Sequence, residues 1–167
     1  DNGCFTNPDL DIDKYLLWLK KLQPFQENCL FATAPDIVGD AQGTWERSKD
    51  VLPQIRELGY AAALVAQDGI ENYPIEWSAF DALFIGGSTE WKLSHNAYVL
   101  TREALQQGKW VHMGRVNSKR RLVQARLFGC NSTDGTYLAF APDINLENVN
   151  GWLDFLKSQP VLFGINI

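Results

Sequence analysis

Several polar side chains that could do chemistry follow short apolar runs in this chain. Asp36 follows the first run, Gln67 the second and Asp134 the last. A carboxylate and a planar amide together match the donor and acceptor edge of a purine. Glycosidic chemistry needs two further carboxylates, one as nucleophile and one as acid/base, and Asp1 stands at the front as a second such group. The set indicates purine recognition joined to glycosidic chemistry.

The third apolar run is followed by Gly86-Gly87. Without side chains, these two residues let backbone N–H and C=O groups come close to a flat ligand. Each residue of the set also has a structural explanation, because Asp and Gly after a strand commonly make a turn or cap a helix. Their expected convergence on one edge favours a functional site over separate turns.

The apolar runs indicate the elements that position these residues. The runs are four to six residues long and start roughly 20 to 30 residues apart, the length of one strand plus one helix. Most are apolar on both faces, as in parallel strands covered on both sides. Because the carboxyl ends of parallel strands meet at one edge, the polar residues should converge there. We predict strands at 29–33, 61–66, 82–85, 110–113 and, more weakly, 130–133.

The segments between the runs have helical spacing. Helices are predicted over 10–22 and 146–157, and glycines at 59, 108 and 129 mark the ends of three others. This alternation predicts an α/β fold with a parallel sheet. No GxGxxG or P-loop sequence follows a strand, which disfavours the open nucleotide-binding sheets and favours a barrel.

Composition sets outer limits on the function. The chain has 167 residues and a net charge of −5, which fits one domain over 1–167 and excludes a generally basic nucleic-acid coat. The longest apolar runs are too short to span a membrane. Cys4, Cys29 and Cys130 are too few and too scattered for a disulfide framework or, with His95 and His112, for a zinc site. We therefore expect a cytoplasmic protein with no metal.

Five stretches of the chain carry a family resemblance. They are FATAPDIVGD (31–40), ALVAQDG (63–69), DALFIGGSTEWKL (81–93), KWVHMGRVNSKRRL (109–122) and GCNSTDGTYLAF (129–140). In this order they resemble the tRNA-guanine transglycosylase superfamily. The likeness is greatest to its small phage and bacterial members, which place 7-deazaguanines in DNA, and it runs from Asp1 to about Trp152. It implies a (β/α)8 TIM-type barrel and the replacement of guanine by a 7-deazaguanine, such as 7-cyano-7-deazaguanine, with no cofactor.

The resemblance also implies a role for each residue of the set. Asp134 would be the nucleophile that forms a covalent glycosyl intermediate, and Asp1, in Asp1-Asn2-Gly3, the acid/base. The incoming base would attack from the face that guanine left, with net retention. Base binding would fall to Asp36, Gln67, Gly86, Gly87 and Met113, the last as an apolar lid.

A basic segment fits a polynucleotide substrate. Five of the fifteen Lys and Arg residues lie within the twelve positions 115–126. We predict phosphate contacts from Arg115, Lys119 and Arg120, the alternative being an ordinary solvated helix face. The zinc subdomain of the tRNA-acting relatives is missing, which favours DNA over tRNA, and the target base would be flipped out or single-stranded. The other partners would be the free base and accessory DNA-modification proteins.

Two other classes of protein are weighed against this prediction. A different barrel enzyme, such as a metal-dependent hydrolase or a phosphate-binding isomerase, is disfavoured because no His pair and no Lys follows the strands, Lys109 preceding its own. An inactive nucleic-acid-binding relic is disfavoured because Asp134 and Gln67 are present. His112, alone within a strand, is interpreted as a packed residue and left outside the set.

Chain length gives a last expectation. A complete (β/α)8 barrel usually takes about 200 residues or more. The sequence offers five strands and one more that would end at Asp1. We therefore expect the barrel to be incomplete at its N-terminus, with a further strand near residues 161–167.

Overall fold

The computed structural model describes residues 2–4 and 9–159, so the expectations for Asp1 and for 161–167 fall outside it. Within these ranges the protein has an α/β fold with one parallel sheet in the order β1-β2-β3-β4-β5, curled like half of a barrel and flanked by helices. All five predicted strands are confirmed. The strands are β1 (Ala32–Thr33), β2 (Ala62–Ala66), β3 (Ala82–Ile85), β4 (Trp110–Met113) and β5 (Ser132–Thr133).

The two outer strands are shorter than the sequence predicts. In the described part of the chain, β1 pairs only with β2 and β5 only with β4. A strand with one neighbour has fewer ladder bonds to hold it, so only the residues nearest the partner stay in register. The curled sheet therefore does not close on itself in the described ranges.

Within residues 2–4 and 9–159, seven α-helices flank the sheet. Gly59, Gly108 and Gly129 all have positive φ, which confirms the three predicted helix ends. The last helix begins four residues before its predicted start, at a proline that favours the first helical turn. The helices are α1 (Ile12–Leu22), α2 (Ala41–Ser48), α3 (Leu52–Glu57), α4 (Thr89–Lys92), α5 (His95–Gln106), α6 (Lys119–Phe128) and α7 (Pro142–Ser158).

Alternation along the strands separates two faces of the sheet. Leu83 and Ile85 of β3 pack into the core between sheet and helices. Phe84, between them, lies on the opposite face, where its ring contacts His112 of β4. The core therefore sits on the helix side, and an aromatic surface lines the other face. Among the helices described, none has both the length and the hydropathy to cross a bilayer.

Strand register puts the residues after the strands side by side. Ala66 pairs with Ile85, Ile85 with Met113, and Met113 with Thr133. Neighbouring strands lie about 4.8 Å apart. The next residues along the chain, which are Gln67, Gly86, Gly114 and Asp134, therefore form one row across the carboxyl edge of the sheet.

Candidate active site at the carboxyl ends of the strands

One end of the row holds a buried carboxylate bound by two amides. Gln67 Nε2 donates to Asp36 Oδ2 at 2.7 Å, and Asn2 Nδ2 donates to Asp36 Oδ1 at 3.1 Å. The Asn2 amide also donates to the Ala34 carbonyl at 2.7 Å. Asp36 and Gln67 are brought together as predicted. Asn2 was missed, although it belongs to the Asp1-Asn2-Gly3 motif that the resemblance singled out.

Gln67 is fixed at both ends of its amide. Its Oε1 accepts from the Gly39 backbone N–H at 3.0 Å while its Nε2 serves Asp36. Both side chains are buried. A fixed amide beside a carboxylate offers a donor and acceptors in a defined geometry, which is what the edge of a purine requires.

Gly86, which belongs to the row, and Gly87, the residue after it, leave no room for a side chain. A Cβ at Gly86 would lie 2.7 Å from Val65 Cγ1 and 3.2 Å from Gln67 Nε2. Gly87 has φ +40°, and a Cβ there would lie 2.4 Å from the Trp91 ring. The backbone of Gly86 therefore packs directly against the amide of Gln67, as a ligand reading both would need.

Arg115 connects the glycines to the other end of the row. Its guanidinium Nη2 donates to the carbonyls of Gly86, at 3.3 Å, and of Gly87. Its backbone N–H donates to Asp134 Oδ1 at 2.7 Å, and its φ of 57° is unusual for a residue with a side chain. The phosphate contact predicted for Arg115 stays a prediction, and such a contact would share the guanidinium with these carbonyls.

Asp134 lies half-exposed at the end of the row. His112 Nε2 is 3.5 Å from Asp134 Oδ1, and within the described residues this nitrogen has no well-formed hydrogen bond, so the contact is mainly electrostatic. His112, the Arg115 N–H and the charge of Lys92 lower the pKa of Asp134, against the opposing effect of burial. The carboxylate is therefore ionised at neutral pH, as a nucleophile has to be.

A buried lysine lies under the row, which corrects one prediction. Lys92 of α4 is 1% exposed and donates to the Gly114 carbonyl at 2.7 Å. Burial, with the charges of Arg115 and Arg121, lowers its pKa to about 8. The prediction that no lysine stands at the strand ends is wrong because this side chain reaches back from a helix seven residues after its strand.

Other predicted site residues lie apart from the row. Met113 is fully buried in the core on the helix side, so its contact with a base stays a prediction. Lys119 Nζ lies 3.7 Å from the centre of the Phe155 ring. Arg120 is exposed on α6. The predicted acid/base, Asp1, lies outside the described residues.

Across residues 2–4 and 9–159, no group of three His, Cys, Asp or Glu side chains is placed to hold a metal ion. The edge instead carries a purine-matching amide and carboxylate, Gln67 and Asp36, and an ionised carboxylate, Asp134, which follows a strand four places from β1. Such an arrangement can bind a base and attack the sugar that carries it.

Comparisons with known proteins add no family to this description. No family model matches the chain, and no curated protein matches it significantly. The function therefore has to be argued from the chemistry of the row itself.

Proposed function

We propose that this protein is a base-exchange glycosyltransferase that replaces guanine in DNA with a 7-deazaguanine such as 7-cyano-7-deazaguanine. The supporting observation is the continuous row along the carboxyl edge, in which contacts lead from Asp36 through Gln67, Gly86 and Arg115 to Asp134. A group that matches a purine edge and an ionised carboxylate thus belong to one site.

The reaction follows from the charge state of Asp134. Its carboxylate attacks C1′ of the target nucleoside, the bond from C1′ to N9 of guanine breaks, and the electron pair goes to N9. Guanine then leaves with a proton, for which Asp1 is the proposed donor. The incoming 7-deazaguanine gives the proton on its own N9 to Asp1, attacks C1′ from the same face and releases the carboxylate of Asp134.

The same group of residues binds the leaving and the incoming base, because both bases have the same Watson–Crick edge. The amides of Asn2 and Gln67 occupy both oxygens of Asp36 in the free protein. A bound base takes over at least one of these hydrogen bonds, so that its donors replace an amide. The Gly86 and Gly87 backbone completes the contact with the rest of the base.

The sheet fits a barrel of this class. In the described residues, five parallel strands in sequential order, curled and flanked by helices, are compatible with part of a (β/α)8 barrel. We propose that the sheet belongs to such a barrel. In such barrels the working residues stand at the carboxyl ends of the strands, where the row lies.

Base exchange is tested by incorporation of a labelled base. The full chain is incubated with radiolabelled guanine or 7-cyano-7-deazaguanine and either single-stranded DNA or tRNA. We expect label in DNA, and none with Asp134→Asn. Label in tRNA alone would contradict DNA as the substrate and indicate an enzyme that acts on tRNA. Label in neither nucleic acid would contradict base exchange.

Lys92 supports a second candidate, a barrel enzyme that handles a carbonyl substrate. A buried amine whose pKa is about 8 is suited to forming a Schiff base. Borohydride reduction in the presence of pyruvate and other small aldehydes and ketones would then fix the carbon skeleton to Lys92, as mass spectrometry would detect. Its near-complete burial and its bond to Gly114 make this the weaker candidate.

A further inference from the structure

His112 is a buried titratable residue that the proposed reaction leaves unused. Its ring is 7% exposed and lies against Phe84, with centroids 4.7 Å apart and planes at 33°. Phe31 contacts it edge-on at 5.3 Å and 70°. Two aromatic neighbours thus fix the plane of the imidazole on the face of the sheet opposite the helices.

Hydrogen bonds fix the direction in which the ring points. His112 Nδ1 lies 2.8 Å from Ser132 Oγ, and Trp110 Nε1 donates to the same oxygen at 2.8 Å. Indole can only donate, so it takes one lone pair of the hydroxyl and leaves the hydroxyl hydrogen free to donate to Nδ1. In that arrangement the neutral ring carries its own hydrogen on Nε2.

The Nε2 side of the ring lies nearest to Asp134. The nitrogen is 3.5 Å from Oδ1, and the opposite tautomer would turn a lone pair toward a carboxylate. A protonated ring is also accommodated, because Ser132 Oγ can accept from Nδ1–H as well as from Trp110. The other groups that act on Asp134 are the Arg115 N–H from the loop after β4 and the charge of Lys92 from α4.

We propose that His112, oriented by Ser132 and Trp110, is a positioning residue that presents an N–H to Asp134 and keeps this carboxylate aimed at C1′. The role of the carboxylate as nucleophile rests on the proposed function. The contact between His112 and Asp134, and its effect on the charge of Asp134, do not depend on it.

Kinetics separate positioning from folding. We expect His112→Phe, which keeps the ring packing, to lower kcat for base exchange about 10²-fold, the cost of a misplaced reacting group. KM for the free base should stay unchanged, because the base binds at Asp36 and Gln67. His112→Gln, whose amide can still donate, should recover most of the rate. An equal loss of kcat in His112→Phe and His112→Gln, or a higher KM with unchanged kcat, would overturn the proposal.

An NMR experiment on the free protein tests the contact without any substrate. Titration of the Asp134 carboxyl carbon should give a higher pKa in His112→Phe than in the wild type, and imidazole ¹⁵N shifts should show the Nε2–H tautomer. If His112→Phe does not fold, His112→Gln and Ser132→Ala serve instead, and Ser132→Ala should loosen the tautomer preference.

The two experiments distinguish a failure of the His112 contact from a failure of the proposed function. An unchanged Asp134 pKa in folded His112→Phe, or a ring protonated on Nδ1 alone, would overturn the inference. A shifted pKa in a protein that exchanges no base would keep the contact and overturn the proposed function instead.

Discussion

Gln67 carries two hydrogen bonds that a smaller side chain cannot replace. It donates to Asp36 and accepts from Gly39, and its amide is buried. Removing it leaves a buried carboxylate oxygen and a backbone N–H without their partners, and unpartnered buried polar groups are costly. The same amide is the group proposed to contact the base, so stability and base affinity are linked at this residue.

Replacement of Gln67 by Ala should therefore affect both properties. We expect the free energy of unfolding to fall by about 1–3 kcal/mol, with a higher KM for the free base. Urea unfolding and exchange kinetics measure the two effects. The control is Gln106→Ala on the exposed part of α5, which should change neither. Equal stability losses in the two variants would contradict the role of the Gln67 bonds.

Lys92 predicts a dependence of stability on pH. Its pKa falls from 10.5 to about 8 on folding, so between these values the unfolded chain binds more protons than the folded one. The contribution of Lys92 therefore disfavours folding below about pH 8, and this contribution becomes less unfavourable as pH increases toward 10.5.

The substitution Lys92→Met should remove this contribution. Urea unfolding at about pH 7.5 and about pH 10 would compare the wild type, Lys92→Met and the exposed control Lys20→Met. We expect the control to keep the wild-type change in the free energy of unfolding and Lys92→Met to lose the contribution of Lys92 to it. An unchanged pH dependence in Lys92→Met would show that another group causes it.

At the scale of elements, a strand or helix can be predicted from the sequence when the residues that it buries are apolar. Four of the five strands could be predicted because they are short apolar runs between polar turns, while the polar β5, Ser132–Thr133, is predicted more weakly. α2 could not, because the residues it buries, Ala41, Thr44 and Ser48, are small or polar and give no apolar stripe. The register of the strands is also invisible in one sequence, yet it aligns Gln67 with Asp134 across the sheet edge.

Two residues of the site were missed for related reasons. Alternation showed that His112 points to one face of its strand, but not to which face. Lys92 lies on α4. Nothing near it in the sequence indicates that its ammonium donates a hydrogen bond to the carbonyl of Gly114, the residue directly after β4. The contacts of both depend on packing between elements, which motif spacing does not report.

The close contact between β2 and the end of β3 predicts the effect of a single methyl group. Gly86→Ala would place a Cβ 2.7 Å from Val65 Cγ1 and 3.0 Å from the Ala66 carbonyl. We expect a loss of about 1–3 kcal/mol in the free energy of unfolding, together with lower base affinity. Thermal or urea unfolding measures the loss.

Gly151→Ala is the matched control for that substitution. A Cβ there meets nothing within 4 Å, and Gly151 lies inside α7. This variant should gain about 0.5–1 kcal/mol, because alanine is the better helix former. If both variants shifted stability in the same direction, crowding at Gly86 would not be the cause.

At the scale of the whole molecule, a net charge of −5 has to be reconciled with the proposed nucleic-acid substrate. Attraction to phosphate must then come from a local surface. The basic residues of α6 begin directly after the loop that carries Arg115, so they flank the row. Binding through so few cations predicts moderate affinity and a clear dependence on salt.

Arg120 tests this surface. It is exposed on α6, so Arg120→Ala should leave stability unchanged while weakening DNA binding similarly for all sequences. The slope of log affinity against log salt concentration should decrease by about 1. Fluorescence anisotropy with a labelled single strand measures the slope. Lys20→Ala on α1 is the control, and an equal decrease there would contradict a local phosphate contact.

The most direct test of the central claim is capture of the covalent intermediate on Asp134. The full chain is mixed with a guanine-containing single strand, denatured rapidly, and examined by intact mass and peptide mapping. We predict a protein–DNA ester at Asp134 that also forms in Asp154→Asn, an exposed carboxylate control, and is lost in Asp134→Asn. An adduct that persists in Asp134→Asn, or base exchange with no adduct on Asp134, would contradict the account.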